Sequence, residues 1–254
     1  MPFPIIDAHI HLDQYSQIDQ TKIIKELIHY HIKALIAVST NLASAKQIKS
    51  LALAHKEVKP VYGYHPEQEL PSEQELQQLI NFLEEQKETM VAIGEVGLPY
   101  YLRQENSLLK VEPYIELLEC FIIRAKNFQK PLVLHAVYGD APIVCDLLEK
   151  HSVKLAHFHW FKGDKKTIER MVANGYCISV TPDILYKERT RNLVAVYPLH
   201  LIMVETDGPW QFSKEKTHPK MIHFTMREIA KIKKLPIKEV YETIFTTTER
   251  FYSL

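Results

Sequence analysis

The chain has 254 residues, 46% of them hydrophobic and 24% charged, a balance that suits one folded domain and excludes intrinsic disorder. Its 31 basic and 31 acidic side chains cancel, which excludes a globally basic nucleic-acid binder; attraction for phosphate must come from a local patch or a bound cation. Cys120, Cys145 and Cys177 show no CxxC spacing and no disulfide framework, so a reducing cytoplasmic setting is expected.

The N-terminal residues have no basic start and no long apolar run, so no signal peptide is expected. No stretch approaches the roughly 18 apolar residues that a membrane span needs. From there short apolar runs alternate with amphipathic ones. A run at 4–6 precedes a helical period over 21–31 that carries Ile23, Ile24, Leu27 and Ile28. Runs at 34–38 and 59–62 follow, then a helix over 72–85 with Leu76, Leu79, Ile80 and Leu83, opened by Ser72 and Glu75 as a capping box. A run at 90–93 leads to a helix over 113–128 with Pro in its first turn. Runs at 132–134 and 154–156 come next, then a helix over 164–173, runs at 177–180 and 199–204, and helices over 219–233 and 238–245. The eight runs are rich in Val, Ile and Leu and lack polar alternation, the pattern of strands buried on both faces of a parallel sheet. Strict alternation over this length predicts an α/β fold, a (β/α)8 TIM barrel, as a single domain over 1–254. A doubly wound open sheet is the alternative; it usually carries a Gly-rich first turn, and none follows the first run.

The chemistry-bearing residues fall at one end of these strands. Asp7, His9 and His11 follow the first, His65 the third and Glu95 the fourth. His135 ends the fifth, His157 and His159 the sixth and Thr181 the seventh, and Asp207 follows the eighth. That is the C-terminal end, where barrels place active sites. His9 and His11 are two apart in an extended segment, so their imidazoles face the same way. With Glu95, His135, His159 and Asp207 they make a usual donor set for Zn²⁺ or a similar divalent ion, and a pair of ions sharing one carboxylate would use all six. Without a cation the two carboxylates would be costly to bury. Asp7 reads either as a partner orienting a ligand histidine or as a strand cap, and His157 as a ligand or a hydrogen-bonded spacer. His65 reads as a substrate contact or a structural loop residue. His29, His31, His55, His151, His200, His218 and His223 lie away from strand ends and read as ordinary.

Six segments then stand out: DAHIHL at Asp7–Leu12, GYHP at Gly63–Pro66, IGEVGL at Ile93–Leu98, PLVLH at Pro131–His135, HWFKG at His159–Gly163 and ETDGPW at Glu205–Trp210. In order and spacing they resemble the TatD family of metal-dependent hydrolases and deoxyribonucleases, over essentially the whole chain. The opening D-x-H-x-H is widespread among amidohydrolases; GE-x-GL together with ETD-x-P is more specific. The resemblance implies that His9, His11, Glu95 and Asp207 hold one metal and that Glu95, His135 and His159 hold a second, with Glu95 bridging. It implies hydrolysis of DNA phosphodiesters, often from a 3′ end, with two divalent ions drawn from Zn, Mg or Mn. Four positions depart from the family pattern. Pro99 stands where Asp is common, Val137 where Arg is common, Trp160 where a small residue is common, and Thr248 where a late Asn is common.

Asp207 and Glu95 are therefore the expected catalytic carboxylates, with Asp207 taking the proton from the attacking water. His65 and Lys162 are expected to meet phosphate oxygens. Trp160, Phe161, Tyr100, Tyr101 and Trp210 fall in loops at the same mouth and read either as stacking faces for unpaired bases or as rim packing over the barrel, with Trp160 and Trp210 the expected substrate contacts. The expected partner is DNA as a single strand or strand end, with no membrane and no obligate protein partner. Two rivals stay open: an amidohydrolase using the same metals on a small amide or ester, and a binding protein with an idle site.

Overall fold

The computed structural model describes residues 3–212, 214 and 216–254. One sheet carries eight parallel strands in sequential order: β1 (Ile5–Ile10), β2 (Ile32–Val38), β3 (Val58–Tyr62), β4 (Ala92–Gly97), β5 (Leu132–His135), β6 (Ala156–Phe158), β7 (Cys177–Val180) and β8 (Ile202–Val204). The order β1 to β8 with parallel neighbours is that of a (β/α)8 barrel. At the mouth the seam between the first and last strands is tied by Asp207 N–H to the His9 carbonyl (3.0 Å) and His11 N–H to the Gly208 carbonyl (2.8 Å).

Around the strands lie α1 (Gln17–Glu26), α2 (Leu42–Ala54), α3 (Glu73–Gln86), α4 (Tyr100–Glu105), α5 (Glu112–Phe128), α6 (Asp140–Lys150), α7 (Lys165–Asn174), α8 (Glu188–Val196), α9 (Ile222–Lys233) and α10 (Ile237–Tyr252). Alternate strand residues face two separate cores. Leu35, Tyr62, Ile93 and Leu134 pack outward against the helices, while Ala34, Ile36, Val38, Val61, Ala92, Val133 and Met203 fill the barrel interior with Phe251 and Tyr252 of α10.

The capping box at Ser72 and Glu75 is present, and Pro113 sits in the first turn of α5. Other boundaries differ from the sequence expectation. The sixth strand is Ala156–Phe158 rather than 154–156, because Leu155 is half exposed and the chain turns inward only at Ala156. Strand β4 runs on through Glu95 to Gly97, since burial makes a polar residue no bar to pairing there. Strand β1 likewise runs through His9 to Ile10. The first helix spans Gln17–Glu26 rather than 21–31, capped by Ser16. Helix α2 buries only Ser44, Ala45 and Ile48 and α4 buries no residue, whereas α6 buries Ala141, Val144, Cys145, Leu147 and Leu148.

One close approach fixes the register at the mouth. Gly97 pairs with His135, and a Cβ there would meet the His135 carbonyl oxygen at 1.9 Å. Gly97→Ala is expected to push β4 from β5 and destabilise the fold by about 1–3 kcal/mol. Urea unfolding checks this, and an unchanged midpoint would refute the packing argument.

Candidate metal centre

Every residue expected at the site lies at the strands' C-terminal ends. Glu95 comes from β4 and His9 from β1, with His11 just beyond it. His135 closes β5, His159 follows β6 and Asp207 follows β8. Glu95 and His9 are fully buried, and none of the six is more than 8% exposed. Asp207 adopts a left-handed backbone (φ 51°), which Asp tolerates better than most residues, and this turn carries its carboxylate over the mouth.

Glu95 is the hub. Its Oε2 lies 3.1 Å from His9 Nε2 and 3.3 Å from His11 Nε2. Its Oε1 lies 2.9 Å from His135 Nδ1, 2.7 Å from His159 Nε2 and 3.3 Å from His65 Nε2. Asp207 Oδ1 stands 3.5 Å from His9 Nε2 and 3.6 Å from His11 Nε2. The His9 and His159 rings stack with centroids 4.0 Å apart. Among the described residues three overlapping groups bring their donor atoms within 4.8 Å of one another: His9, His11 and Glu95; His9, His159 and Asp207; and His65, Glu95 and His135. All six expected ligands therefore converge, and His65 joins them.

Hydrogen bonds distinguish ligand-like rings from others. His11 Nδ1 lies 3.1 Å from the Val38 carbonyl, so it carries the proton and leaves the Nε2 lone pair facing Glu95. His65 is the reverse. Its Nδ1 accepts the Glu67 backbone N–H (3.1 Å), which leaves Nε2 as the protonated nitrogen aimed at Glu95, a donor rather than a ligand. His157 is a spacer, bonded at Nδ1 to the Tyr252 hydroxyl (2.7 Å) and at Nε2 to Ser179 Oγ (2.6 Å). Asp7 accepts the Thr206 N–H (2.9 Å) and hydroxyl (2.5 Å), so it ties the first strand to the last rather than orienting an imidazole.

These residues fit a divalent cation. Bare imidazole nitrogens face one another at 3.4 Å for His9 and His11, and at 3.2 Å for His135 and His159, with Glu95 Oε2 lacking a hydrogen-bond donor. Burial alone would raise the Glu95 pKa, yet His159, His65 and His9 hold it well below the ordinary range. Burial would lower His159, but Glu95 and Glu205 bring it well above its ordinary value. Positive charge is thus favoured at His159, whereas burial and the neighbouring His159 push His9 down to about 3, so the rings cannot all be protonated together.

The centre floors a cavity of 1140 Å³ that opens at the barrel mouth. His65, Trp160, Lys162 and Trp210 all line it, as do Tyr101 and Val137. Phe161 does not: it is 3% exposed and packs on Phe158. Tyr100 packs on Tyr101 and Tyr138. Trp160 also has positive φ (37°), held by its N–H to Glu205 (2.8 Å) and its indole N–H to Asp183 (2.9 Å).

Sequence reasoning missed Glu67, Glu205 and Asp183. Glu205 accepts from Ser179 Oγ (2.5 Å) and approaches His159 Nδ1 at 3.7 Å. It stood in the ETD segment, where a buried carboxylate before a ligand was the available signal. Glu67 accepts the N–H groups of Tyr101 and Leu102 and touches His135. Nothing in its sequence neighbourhood marks it.

The fold and this site define a metal-dependent hydrolase of the barrel type. The chain belongs to the TatD-related DNase family, whose model matches residues 6–253. An uncharacterized metal-dependent hydrolase of Haemophilus influenzae is 41% identical, over 98% of this chain and 100% of that protein. Human deoxyribonuclease TATDN3 is 28% identical, over 94% of this chain and 90% of its own. The crystal structure of YjjV, a TatD homologue from Escherichia coli, superposes with a TM-score of 0.86 at 24% identity, each chain covered completely. No helix among the described residues is long and apolar enough to cross a membrane.

Removal of the hub should be felt throughout. Glu95→Ala is expected to weaken every divalent ion the site takes up, whereas His135→Ala should weaken mainly one. Calorimetric titration with zinc separates these, and unaltered binding in Glu95→Ala would exclude the hub role.

Proposed function

We propose that the protein is a two-metal phosphodiesterase that hydrolyses DNA at strand ends or in short single strands. One observation carries this reading: Glu95 offers one oxygen to the His9 and His11 pair and the other to the His135 and His159 pair. On this reading His9, His11, Glu95 and Asp207 hold one ion, and Glu95, His135 and His159 hold the other. Four imidazoles favour zinc or a similar transition ion over magnesium. Divalent ions bound there would supply a water of lowered pKa and neutralise charge on the phosphate. The deoxyribonuclease name of TATDN3 supports DNA as the substrate.

The chain's own residues do the rest. Asp207 is the carboxylate placed to take the proton of the attacking water; burial raises it in the ion-free site and a bound cation would lower it, so near neutral pH it would be ionised. With cations on the Glu95 oxygens, the His65 Nε2–H would be free to turn to a phosphate oxygen from the cavity wall. Lys162 supplies a cation on the wall, its Nζ over the Trp160 ring at 4.0 Å and 3.0 Å from the Tyr101 hydroxyl. Trp160 and Trp210 stand edge to face at 5.7 Å and offer surfaces to unpaired bases. With a net charge of zero the protein holds duplex DNA weakly.

A second reading has its own support. Val137 leaves the cavity without the arginine common in the family, and Glu67 and Glu105 line it beside the cations. Such a pocket also suits a small amide or ester.

End-labelled single-stranded DNA with Mn²⁺, Zn²⁺ or Mg²⁺, and with chelator, tests the first reading. Metal-dependent shortening is expected, and Asp207→Asn should abolish it, since Asn keeps the size but cannot serve as a carboxylate base. Intact DNA under every metal, with cleavage of a small amide or ester, would install the second reading.

Lys162 gives a pH signature. Burial pushes its ammonium down to about 8, so the cation is present below that pH and lost above it. KM for DNA is expected to rise above about pH 8 with little change in kcat, and Lys162→Met should remove that rise. A KM profile identical in the variant would take Lys162 out of phosphate binding.

A further inference from the structure

Each ligand-like imidazole has an outer nitrogen, and what that nitrogen meets differs around the ring of strands. His11 meets a carbonyl, Val38 O. His9 Nδ1 and His159 Nδ1 are buried without a hydrogen-bond partner, Glu205 being 3.7 Å from the latter. His135 alone turns its outer nitrogen onto a carboxylate within hydrogen-bond distance, with Nε2 at 3.2 Å from Glu67 Oε1. Its Nδ1 faces inward, 2.9 Å from Glu95 Oε1 and 3.2 Å from His159 Nε2. Nδ1 is therefore the nitrogen available to an ion.

Glu67 is itself held rigidly. Oε1 accepts the N–H of Tyr101 and Oε2 the N–H of Leu102, each at 2.8 Å. Both donors belong to the first turn of α4, which begins directly after Pro99. Proline there contributes no carboxylate of its own, and the turn it opens aims two N–H groups at a side chain from the loop after β3. The backbone thus fixes the carboxylate, and the carboxylate meets the ring.

We propose that Glu67 is a positioning residue for His135: it accepts the Nε2–H, locks the imidazole with its Nδ1 lone pair toward Glu95, and strengthens that nitrogen as a metal donor. This rests on the metal-hydrolase reading above. The physical basis is general. A ligand histidine whose other N–H is bound to a carboxylate has a fixed tautomer and orientation and is a stronger base, and removing such partners typically costs about 10–100-fold in metal affinity. The effect is local, because Glu67 touches none of His9, His11 or Asp207 at hydrogen-bond distance among the described contacts.

Zinc titration of the full-length protein and of Glu67→Met and Glu67→Gln tests this. Methionine fills the volume with no acceptor. It should weaken one of two zinc sites about 10–100-fold and leave the other unchanged, and glutamine, which keeps one acceptor oxygen, should fall between. A spectroscopic readout stands beside it. In the Co²⁺-loaded wild type the exchangeable His135 ring proton should be shifted and protected from solvent exchange, and in Glu67→Met it should exchange rapidly. An unprotected His135 proton in the wild type overturns the proposal even if neither variant folds. Two zinc sites of wild-type affinity in Glu67→Met overturn it alone, leaving the hydrolase reading intact. A wild type that takes up no divalent ion overturns that reading and this inference with it.

Discussion

A carboxylate that water does not reach governs the barrel mouth. An ionised Glu95 at zero exposure carries a desolvation penalty of several kcal/mol unless the surroundings answer it. Five imidazoles placed by β1, the β3 loop, β5 and the β6 loop stand within 3.3 Å of its two oxygens; His65 answers it with an N–H, and the other four, whose lone pairs face the carboxylate, would answer it through a shared cation. That requirement reaches back into the fold. The strands must converge on one point, β4 must lie hard against β5, which Gly97 permits, and the last loop must turn left-handed at Asp207 to bring a second carboxylate over the same imidazoles. The seam between β1 and β8 closes at this cluster, with His9 and Asp207 bonded backbone to backbone.

The alternation of buried strands and helices was legible because a parallel strand covered on both faces has a composition that few other elements share. The six residues that converge around Glu95 and Asp207 were legible as a cluster because His, Glu and Asp at the ends of apolar runs contradict the runs' own pattern. Other features had no local signature. Helix α2 packs through Ala45 and Ile48, too narrow a stripe to register as amphipathic. Glu67 looks like any loop glutamate, and its role depends on Tyr101 and Leu102, more than thirty residues onward. Asp7 and His157 were ambiguous for the same reason. Their partners, Thr206 for one and Tyr252 and Ser179 for the other, are distant in sequence and near only in the closed barrel.

Behind the clustered imidazoles runs a continuous buried polar chain. Tyr252 of the last helix bonds His157, His157 bonds Ser179, Ser179 donates to Glu205, and Glu205 holds the backbone of Trp160 next to His159. Burial pushes His157 down to about 3, so it passes through this chain as a neutral ring with one donor and one acceptor, which is what a fully satisfied spacer requires. The chain links the C-terminal helix to the β6 loop and couples the packing of the barrel interior to the position of a metal-facing imidazole.

The family departures follow a spatial logic. Val137 takes a cation away from the loop after β5, yet Lys162, Lys187 and Arg189 line the same cavity from the loops after β6 and β7. Pro99 takes a carboxylate away from the end of β4, and Glu67 brings one from the loop after β3. The cavity therefore has Lys162, Lys187 and Arg189, with the buried Asp183 among them, on its β6–β7 side and Glu67 and Glu105 on its β3–β4 side. On the proposed DNA reading, a polyanion entering such a mouth would be attracted along the Lys162 side and repelled from the Glu67 side. A duplex carries phosphates on both flanks and would meet Glu67 and Glu105 with one of them. A single strand or a frayed end can turn its phosphates to one wall and its bases to Trp160 and Trp210. On that reading the displaced charges would leave the cluster around Glu95 unchanged and narrow the shape of what can reach it.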